Sequence, residues 1–231
     1  MPEIEFSNSL TGKKEIFKPV KKGQVGIYGC GPTVYSEQHI GNLRTALLTD
    51  FLIRILKYNK YKVKHITNYT DVGHLTSDRD EGEDKVERAA KQSNLSIKEI
   101  TQKYIDLYEK DLKKLNIQFG KRVKATEHIK EQIELIKKLE KKGYTYKTSD
   151  GIYFNTKKFK NYGQLAGFGK IERKAGARVS LGEKKNSSDF ALWKFSQKEE
   201  KRLQEWDFIE EKTVSDEECG RLKKLSEENS N

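Results

Sequence analysis

The tightest constraint in this sequence is a succession of three segments joined by short connections. Residues 24–30 (QVGIYGC) are a short apolar run with β character, closed by Gly31 and Pro32. Residues 42–59 (NLRTALLTDFLIRILKYN) are apolar almost all round, with Leu47, Leu48, Phe51, Leu52, Ile55 and Leu56, and this predicts a buried helix. Residues 61–68 (YKVKHITN) alternate and read as a strand. Strand, helix and strand in that order predict a βαβ unit and a parallel sheet. An open sheet of this kind binds ligands in the loops at the carboxyl ends of its strands. Two loops qualify, 31–41 and 70–74.

Further along, residues 70–84 (TDVGHLTSDRDEGED) are polar and acid-rich and read as a loop. Ser96, with Glu99 three residues on, forms a capping-box signature for a second long helix carrying Ile97, Ile100, Tyr104, Leu107, Tyr108, Leu112 and Leu115. Gly120 marks a break. Thr126 is positioned to cap a third helix with the stripe Ile129, Ile133, Ile136 and Leu139, stopped by Gly143. The texture then changes. Residues 144–154 predict two strands around Ser149-Asp150-Gly151, a hairpin signal, and Gly163, Gly167, Gly169 and Gly176 punctuate the chain beyond the hairpin. This predicts a small α+β insert, ending in the buried segment 189–195 (DFALWKF). From Ser196 onward the chain is mostly charged, and a helical or frayed tail is expected.

The 231 residues suffice for one large domain or two small ones. Lysine and arginine number 46 against 35 acids, a formal charge of +11. That surplus suits a polyanion such as RNA, and equally suits lysine-rich, solvated helix faces. Cys30 and Cys219 are too few for a disulfide framework. There is no apolar run of membrane-spanning length and no signal-peptide core, so a soluble, cytoplasmic, reducing setting with no membrane partner is expected.

The chemistry concentrates in residues 30–44 (CGPTVYSEQHIGNLR). Gly41 at the mouth of a helix allows a nucleotide close to the backbone. A helix N-terminus offers N–H groups and a positive dipole to phosphate. His39 and Asn42, three apart, can present two donors to one ligand on the first turn. Such donors would stabilise charge developing on phosphate during adenylate transfer without a general base. On its residues alone, Cys30 is either a small buried side chain at a strand end or a metal ligand. Thr70 and Asp71 are either a strand-end turn or part of a pocket.

The stretch around His39-Ile40-Gly41-Asn42 resembles the HIGH signature of class I aminoacyl-tRNA synthetases, with Asn42 in the last place. The longer string is similar to the cysteinyl-tRNA synthetase form. The likeness continues through NYTDVGH (68–74), ATEHI (125–129), GYTY (143–146), YGQLAG (162–167), AGARV (175–179) and DFALWK (189–194), about residues 5–207 in all. It implies a Rossmann-like, parallel-sheet nucleotide-binding domain whose first half is residues 1–118, an inserted α+β connective domain with a return segment at 119–195, and a charged, divergent tail at 196–231. It further implies ATP, with Mg2+, held by Pro32, Thr33, His39, Ile40, Gly41 and Asn42, of which His39 and Asn42 are catalytic. Gly31 and Thr70 would line the pocket for the substrate cysteine. Cys30 would bind Zn2+, where a soft thiolate-held metal favours a thiol over a hydroxyl that contacts alone separate poorly.

The resemblance also implies a second half, bearing the other zinc ligands, a lysine-serine loop and an anticodon-reading domain, that this sequence does not show. Residues 194–198 (KFSQK) are a superficial match to that loop. Cys219 stands near the place of the second zinc cysteine, but its neighbours do not match and no histidine follows it. His74 reads as an ordinary loop histidine. The expectation is therefore a truncated cysteine–tRNA ligase, inactive by itself, with tRNA, ATP and cysteine as partners. It would be monomeric or joined by a complementing C-terminal fragment. The alternatives are a non-catalytic nucleotide- or tRNA-binding paralogue and a ligase joining cysteine to a small amine.

Overall fold

In the computed structural model, residues 3–73, 84–118, 120–165, 183–196 and 202–208 are described. His74, Cys219 and the AGARV stretch lie outside them.

An antiparallel hairpin, β1 (Glu5–Asn8) and β2 (Lys13–Ile16), opens the chain. Phe17 then packs edge-on against Phe6 and Tyr61. Next comes the unit anticipated from the sequence: β3 (Gln24–Gly29), α1 (Ile40–Tyr58) and β4 (Lys62–Tyr69), with β3 and β4 parallel and Gly29 opposite Thr67. A third parallel strand, β5 (Lys121–Lys124), pairs with the far side of β4, so the order is β3-β4-β5. The fold is α/β with a parallel sheet.

β5 and the short helix α2 (Lys85–Ser93) were not legible in the sequence. β5 is four residues long, mostly charged, and too short for any periodicity to show. Its place is fixed by the tight approach of Gly120 to β4. A side chain at Gly120 would meet the His65 carbonyl at 2.3 Å, while the Gly120 N–H donates to His65 Nδ1 at 3.1 Å. His65 is thereby a buried structural residue. Burial, with the nearby Arg122 charge, pushes its pKa down and keeps the ring neutral.

α3 (Ile97–Lys114) begins at Ser96 with the expected reciprocal cap, the Glu99 N–H donating to Ser96 Oγ and the Ser96 N–H to Glu99. It packs beside α1 on one sheet face. The core there is Val34, Ala46, Tyr69, Ile105, Tyr108, Leu112 and Ile117. α1 departs from the expectation of a helix buried all round. Ala46, Asp50, Ile53 and Leu56 are buried, but Leu48, Phe51 and Ile55 are 54%, 51% and 46% exposed. The sheet and α3 together cover only part of the helix surface, and apolar content alone does not say how many neighbours a helix has.

α4 (Ile129–Lys141) is preceded by a 3-10 turn at Ala125–His128, so Thr126 lies inside that turn and does not cap α4 as expected. Gly143, at φ 72°, ends α4 in the left-handed conformation, with the Tyr144 N–H returning to the Leu139 carbonyl. β6 (Thr145–Thr148) and β7 (Gly151–Phe154) form the expected hairpin around Ser149-Asp150. β8 (Phe190–Lys194) adds antiparallel to β7. The hub of this second sheet is Asp189, 2% exposed. It accepts from the Thr156 N–H and hydroxyl, the Asn186 N–H and side-chain amide, and the Tyr146 hydroxyl. Burial opposes ionisation, but these donors outweigh it and hold the carboxyl below its usual range.

Candidate functional site

Parallel pairing brings the ends of β3 and β4 side by side, and the loop after β3 stays zipped to the chain after β4. The Thr70 N–H donates to the Pro32 carbonyl at 3.0 Å, and the Val34 N–H to the Thr70 carbonyl at 3.2 Å. Gly31 is pressed against β4 so closely that an added Cβ would lie 1.5 Å from the Asn68 carbonyl oxygen. Asn68 locks the junction: its Oδ1 accepts from the Gly31 N–H (3.2 Å) and the Tyr28 hydroxyl (2.9 Å), and its amide donates to Thr70 Oγ1 (2.9 Å). Cys30, Gly31 and Thr70 therefore occupy adjacent strand ends, and the Cys30 thiol is exposed. Asn68 is a positioning residue that sequence reasoning missed. The signal was its place at the end of an alternating strand, where a polar side chain faces the neighbouring loop.

His39 is the N-cap of α1. Its Nδ1 accepts from the Gly41 N–H at 3.0 Å, and its own N–H donates to Asn42 Oδ1 at 3.2 Å. The spacing His-x-Gly-Asn is thus a capping arrangement. A side chain at Gly41 would meet the His39 ring at 2.8 Å, so glycine is what lets the imidazole fold over the first turn. The N–H groups of Gly41 and Asn42 are already engaged, by the His39 ring and the His39 carbonyl. Of the backbone donors expected on this turn, the Ile40 N–H is the one left without a partner among the described residues. With Nδ1 accepting, the neutral ring carries its proton on Nε2. His39 Nε2–H, the Asn42 amide and the Ile40 N–H are the donors this exposed turn offers. No acidic residue sits in the turn to offset the helix dipole.

Beneath the strand ends lies a polar layer. The Tyr69 hydroxyl donates to Glu109, which also pairs with Arg122 Nε at 2.5 Å. Burial, reinforced by Glu109, pushes the Tyr69 hydroxyl far above its usual value, and burial pushes Tyr108 up to about 12. Both phenols stay protonated and serve as donors and filler rather than as acids. Asp71, 4% exposed, reaches across to the 3-10 turn, accepting from the Thr126 N–H at 3.0 Å and hydroxyl at 2.6 Å. That pair explains why the segments around Asp71 and Thr126 belong together: one ties the end of β4 to the start of α4.

A cleft of about 1090 Å³ lies away from the α1 N-terminus. It opens beside Gly73, between Ile129 on α4, Trp193 on β8, and Arg202 and Trp206 beyond it. Its buried wall includes Glu87, which accepts from the Leu203 and Gln204 N–H groups. Among the described residues no three His, Cys, Asp or Glu side chains converge as a metal would require. Cys30 is a single sulfur donor, and a zinc centre takes three or four ligands, so these residues do not by themselves fit one. Among the described residues no helix is long and apolar enough to cross a membrane.

A parallel sheet with a capped helix N-terminus beside two adjacent strand ends defines the class, an α/β protein built on a parallel sheet. Comparison with known proteins narrows it. The family model for the tRNA synthetases class I (C) catalytic domain matches residues 16–208, and the chain belongs to that family. A relative from Burkholderia lata, named cysteine–tRNA ligase 1, is 48% identical over 192 residues. That match takes in 83% of this chain and 41% of the relative. The cysteine–tRNA ligase of Treponema denticola is 44% identical over 206 residues, 88% of this chain and 42% of the relative. The chain thus spans about two fifths of the length of these curated relatives. Among solved structures, a Mycobacterium tuberculosis methionyl-tRNA synthetase with methionyl-adenylate is 20% identical over 55% of this chain and 24% of that one, with a TM-score of 0.46.

Proposed function

We propose that this chain carries the amino-acid and ATP-binding part of a cysteine–tRNA ligase. The observation that carries this reading is the juxtaposition of Cys30, Gly31 and Thr70 with the His39–Asn42 cap at the carboxyl edge of one parallel sheet, in a chain of this family. In the first step the cysteine carboxylate attacks the α-phosphorus of ATP and pyrophosphate leaves, and Mg2+ held by the phosphates would offset their charge. In the second, a terminal ribose hydroxyl of tRNA attacks the adenylate carbonyl and AMP leaves. His39 Nε2–H and the Asn42 amide donate to phosphate oxygens as charge builds on them, with Pro32, Thr33, Ile40 and Gly41 shaping the same wall. The carboxylate attack of the first step needs no proton removed, and in the second the adenylate phosphate takes the hydroxyl proton as AMP leaves. Gly31 and Thr70 border the space for the amino acid.

In this reading residues 1–118 are the first half of the catalytic domain, β5 extends its parallel sheet from the start of the next stretch, and the inserted connective domain and return segment take up the chain from there to 195, where a charged tail follows. Cys30 gives one thiolate to a zinc site whose other ligands come from the remaining length of the family, on the same polypeptide or on a complementing fragment. The completed protein is a cytoplasmic monomer, and the +11 charge supports tRNA rather than a small amine as the acceptor. The test is cysteine-dependent ATP–pyrophosphate exchange by this chain joined to the remaining length of the Burkholderia lata relative. Exchange driven by cysteine and not by serine is expected, with cysteinyl-tRNA formed on adding tRNA. Exchange without cysteinyl-tRNA but with a cysteinyl-amine product would refute the acceptor. Absence of exchange in a folded protein would refute the reading.

A further inference from the structure

The hydrogen bonds of Asn68 run in one direction only. Its Oδ1 lies 3.2 Å from the Gly31 nitrogen. A backbone N–H can only donate, so the side-chain oxygen must be the atom that faces it, and the amide nitrogen is then turned toward Thr70 Oγ1 at 2.9 Å. The Tyr28 hydroxyl donates to the same Oδ1 at 2.9 Å, which fills both of its lone pairs. The side chain stands on the sheet face away from α1, because its neighbour Tyr69 points into the core with Ala46 of α1 and Tyr108 of α3.

Thr70 is left with one group to offer. Its N–H donates to the Pro32 carbonyl and its carbonyl accepts from the Val34 N–H, so both main-chain groups are engaged in closing the junction. Its hydroxyl oxygen accepts from Asn68, and among the described residues nothing accepts the hydroxyl hydrogen. A hydroxyl carries a single hydrogen. An acceptor in the place of the Asn68 amide would draw that hydrogen inward. Because Asn68 donates, the hydrogen points out of the junction, toward the space that Thr70 borders with Gly31. A side chain that only braced the junction would need no more than an acceptor for Gly31 and Tyr28. The carboxamide adds the one donor that a carboxylate of the same shape lacks.

We infer that Asn68 sets the polarity of the amino-acid site: it holds the Thr70 hydroxyl as a hydrogen-bond donor toward an anionic group of the substrate, the carboxylate or the thiolate. The substrate rests on the proposed ligase reading, and the direction rests on the Gly31–Asn68–Thr70 chain of bonds. Asn68 is a positioning residue and acts through Thr70. A donor held this way strengthens the binding of an anion and gives nothing to an ammonium group.

Asn68→Asp separates bracing from polarity. The carboxylate keeps the shape and both acceptor functions, but its second oxygen can meet Thr70 Oγ1 only by taking the hydroxyl hydrogen. Cysteine-dependent ATP–pyrophosphate exchange is measured on this chain joined to the remaining length of the Burkholderia lata relative. The KM for cysteine should rise about tenfold or more, the loss of a hydrogen bond to a charged group, while the KM for ATP stays within about twofold. A new negative charge repels an anion by itself, so the substitution is repeated in Thr70→Val, where it should change the KM for cysteine by under about threefold. Cysteamine, which lacks the carboxylate, and 2-aminobutyrate, which lacks the thiol, identify the acceptor as inhibitors of exchange. Only the one that keeps the acceptor should weaken, by about tenfold, in Asn68→Asp. Unchanged cysteine binding in folded Asn68→Asp overturns the inference, and so does tighter binding, which would make Thr70 an acceptor for the ammonium group. A loss of equal size in Thr70→Val, or equal weakening of the two inhibitors, marks charge repulsion and overturns it as well. If Asn68→Asp does not fold, Thr70→Val against Thr70→Ser decides: the KM for cysteine should rise about tenfold in the first and under about threefold in the second, and equal values overturn the inference. Exchange by the parent is scored first. Its absence in a folded protein refutes the ligase reading, whereas an active parent with an unmoved KM in Asn68→Asp refutes the role of Asn68 alone.

Discussion

Gly31→Ala tests the central piece of site geometry, the contact between the loop after β3 and the end of β4. An added Cβ would sit 1.5 Å from the Asn68 carbonyl oxygen, where ordinary contact begins at 3.4 Å, so the two backbones must part by about 2 Å. The obstacle is main chain and cannot rotate away. Separation on that scale breaks the bonds that close the junction: Gly31 N–H to Asn68 Oδ1 at 3.2 Å, Thr70 N–H to Pro32 at 3.0 Å, and Val34 N–H to Thr70 at 3.2 Å. At about 1 kcal/mol each, the loss is about 3 kcal/mol. That is the upper end of the usual overpacking cost. In a chain of this size it lowers the melting temperature by about 6–12 °C. Gly26→Ala, on the same strand, meets nothing within 4 Å and should be neutral or stabilising by up to about 1 kcal/mol. Thermal unfolding followed by circular dichroism compares the two. If Gly31→Ala melts within about 2 °C of the parent, or if both variants lose alike, the close-approach argument is wrong.

His39 carries two roles that substitution can separate. His39→Asn keeps an N-cap acceptor but removes the Nε2–H donor, so it should preserve stability while lowering kcat of the joined enzyme more than it raises the KM for ATP; His39→Ala should additionally cost about 1 kcal/mol of stability. Equal activity in the Asn variant would show that the cap alone matters. Asp71→Ala strips two bonds from Thr126 and should destabilise by about 3 kcal/mol in urea unfolding, whereas Thr126→Ser, which keeps both donors, should lose under about 1 kcal/mol. Because the folded pKa of His65 is pushed down, its contribution to stability is complete above the unfolded value near 6.5 and falls away as pH drops below it. The melting temperature should therefore decline from pH 7 to pH 5.5, and His65→Asn, which keeps an acceptor for the Gly120 N–H, should flatten that decline. Purified chain, dialysed and analysed for metal, should hold less than one equivalent of zinc; a full equivalent lost on both Cys30→Ser and Cys219→Ser would bring Cys219 into the site.

The βαβ unit, the second helix with its Ser96–Glu99 cap, and the hairpin at Ser149-Asp150 were all legible in the sequence. Each rests on interactions between residues near in the chain: periodicity, a cap three residues long, a two-residue turn. The same holds for His39, Gly41 and Asn42, whose mutual bonds span one helical turn. Tertiary structure alone decided the rest. β5 is a strand only because Gly120 can lie against His65. Asn68 and Asp71 acquire their roles from partners 37 and 55 residues away. The exposure of Leu48, Phe51 and Ile55 is a further case, because apolar content does not say which side chains the neighbouring elements will reach. Local rules fix a segment's conformation through neighbours the chain itself supplies, whereas long-range contacts depend on which surfaces meet, and no single segment encodes that.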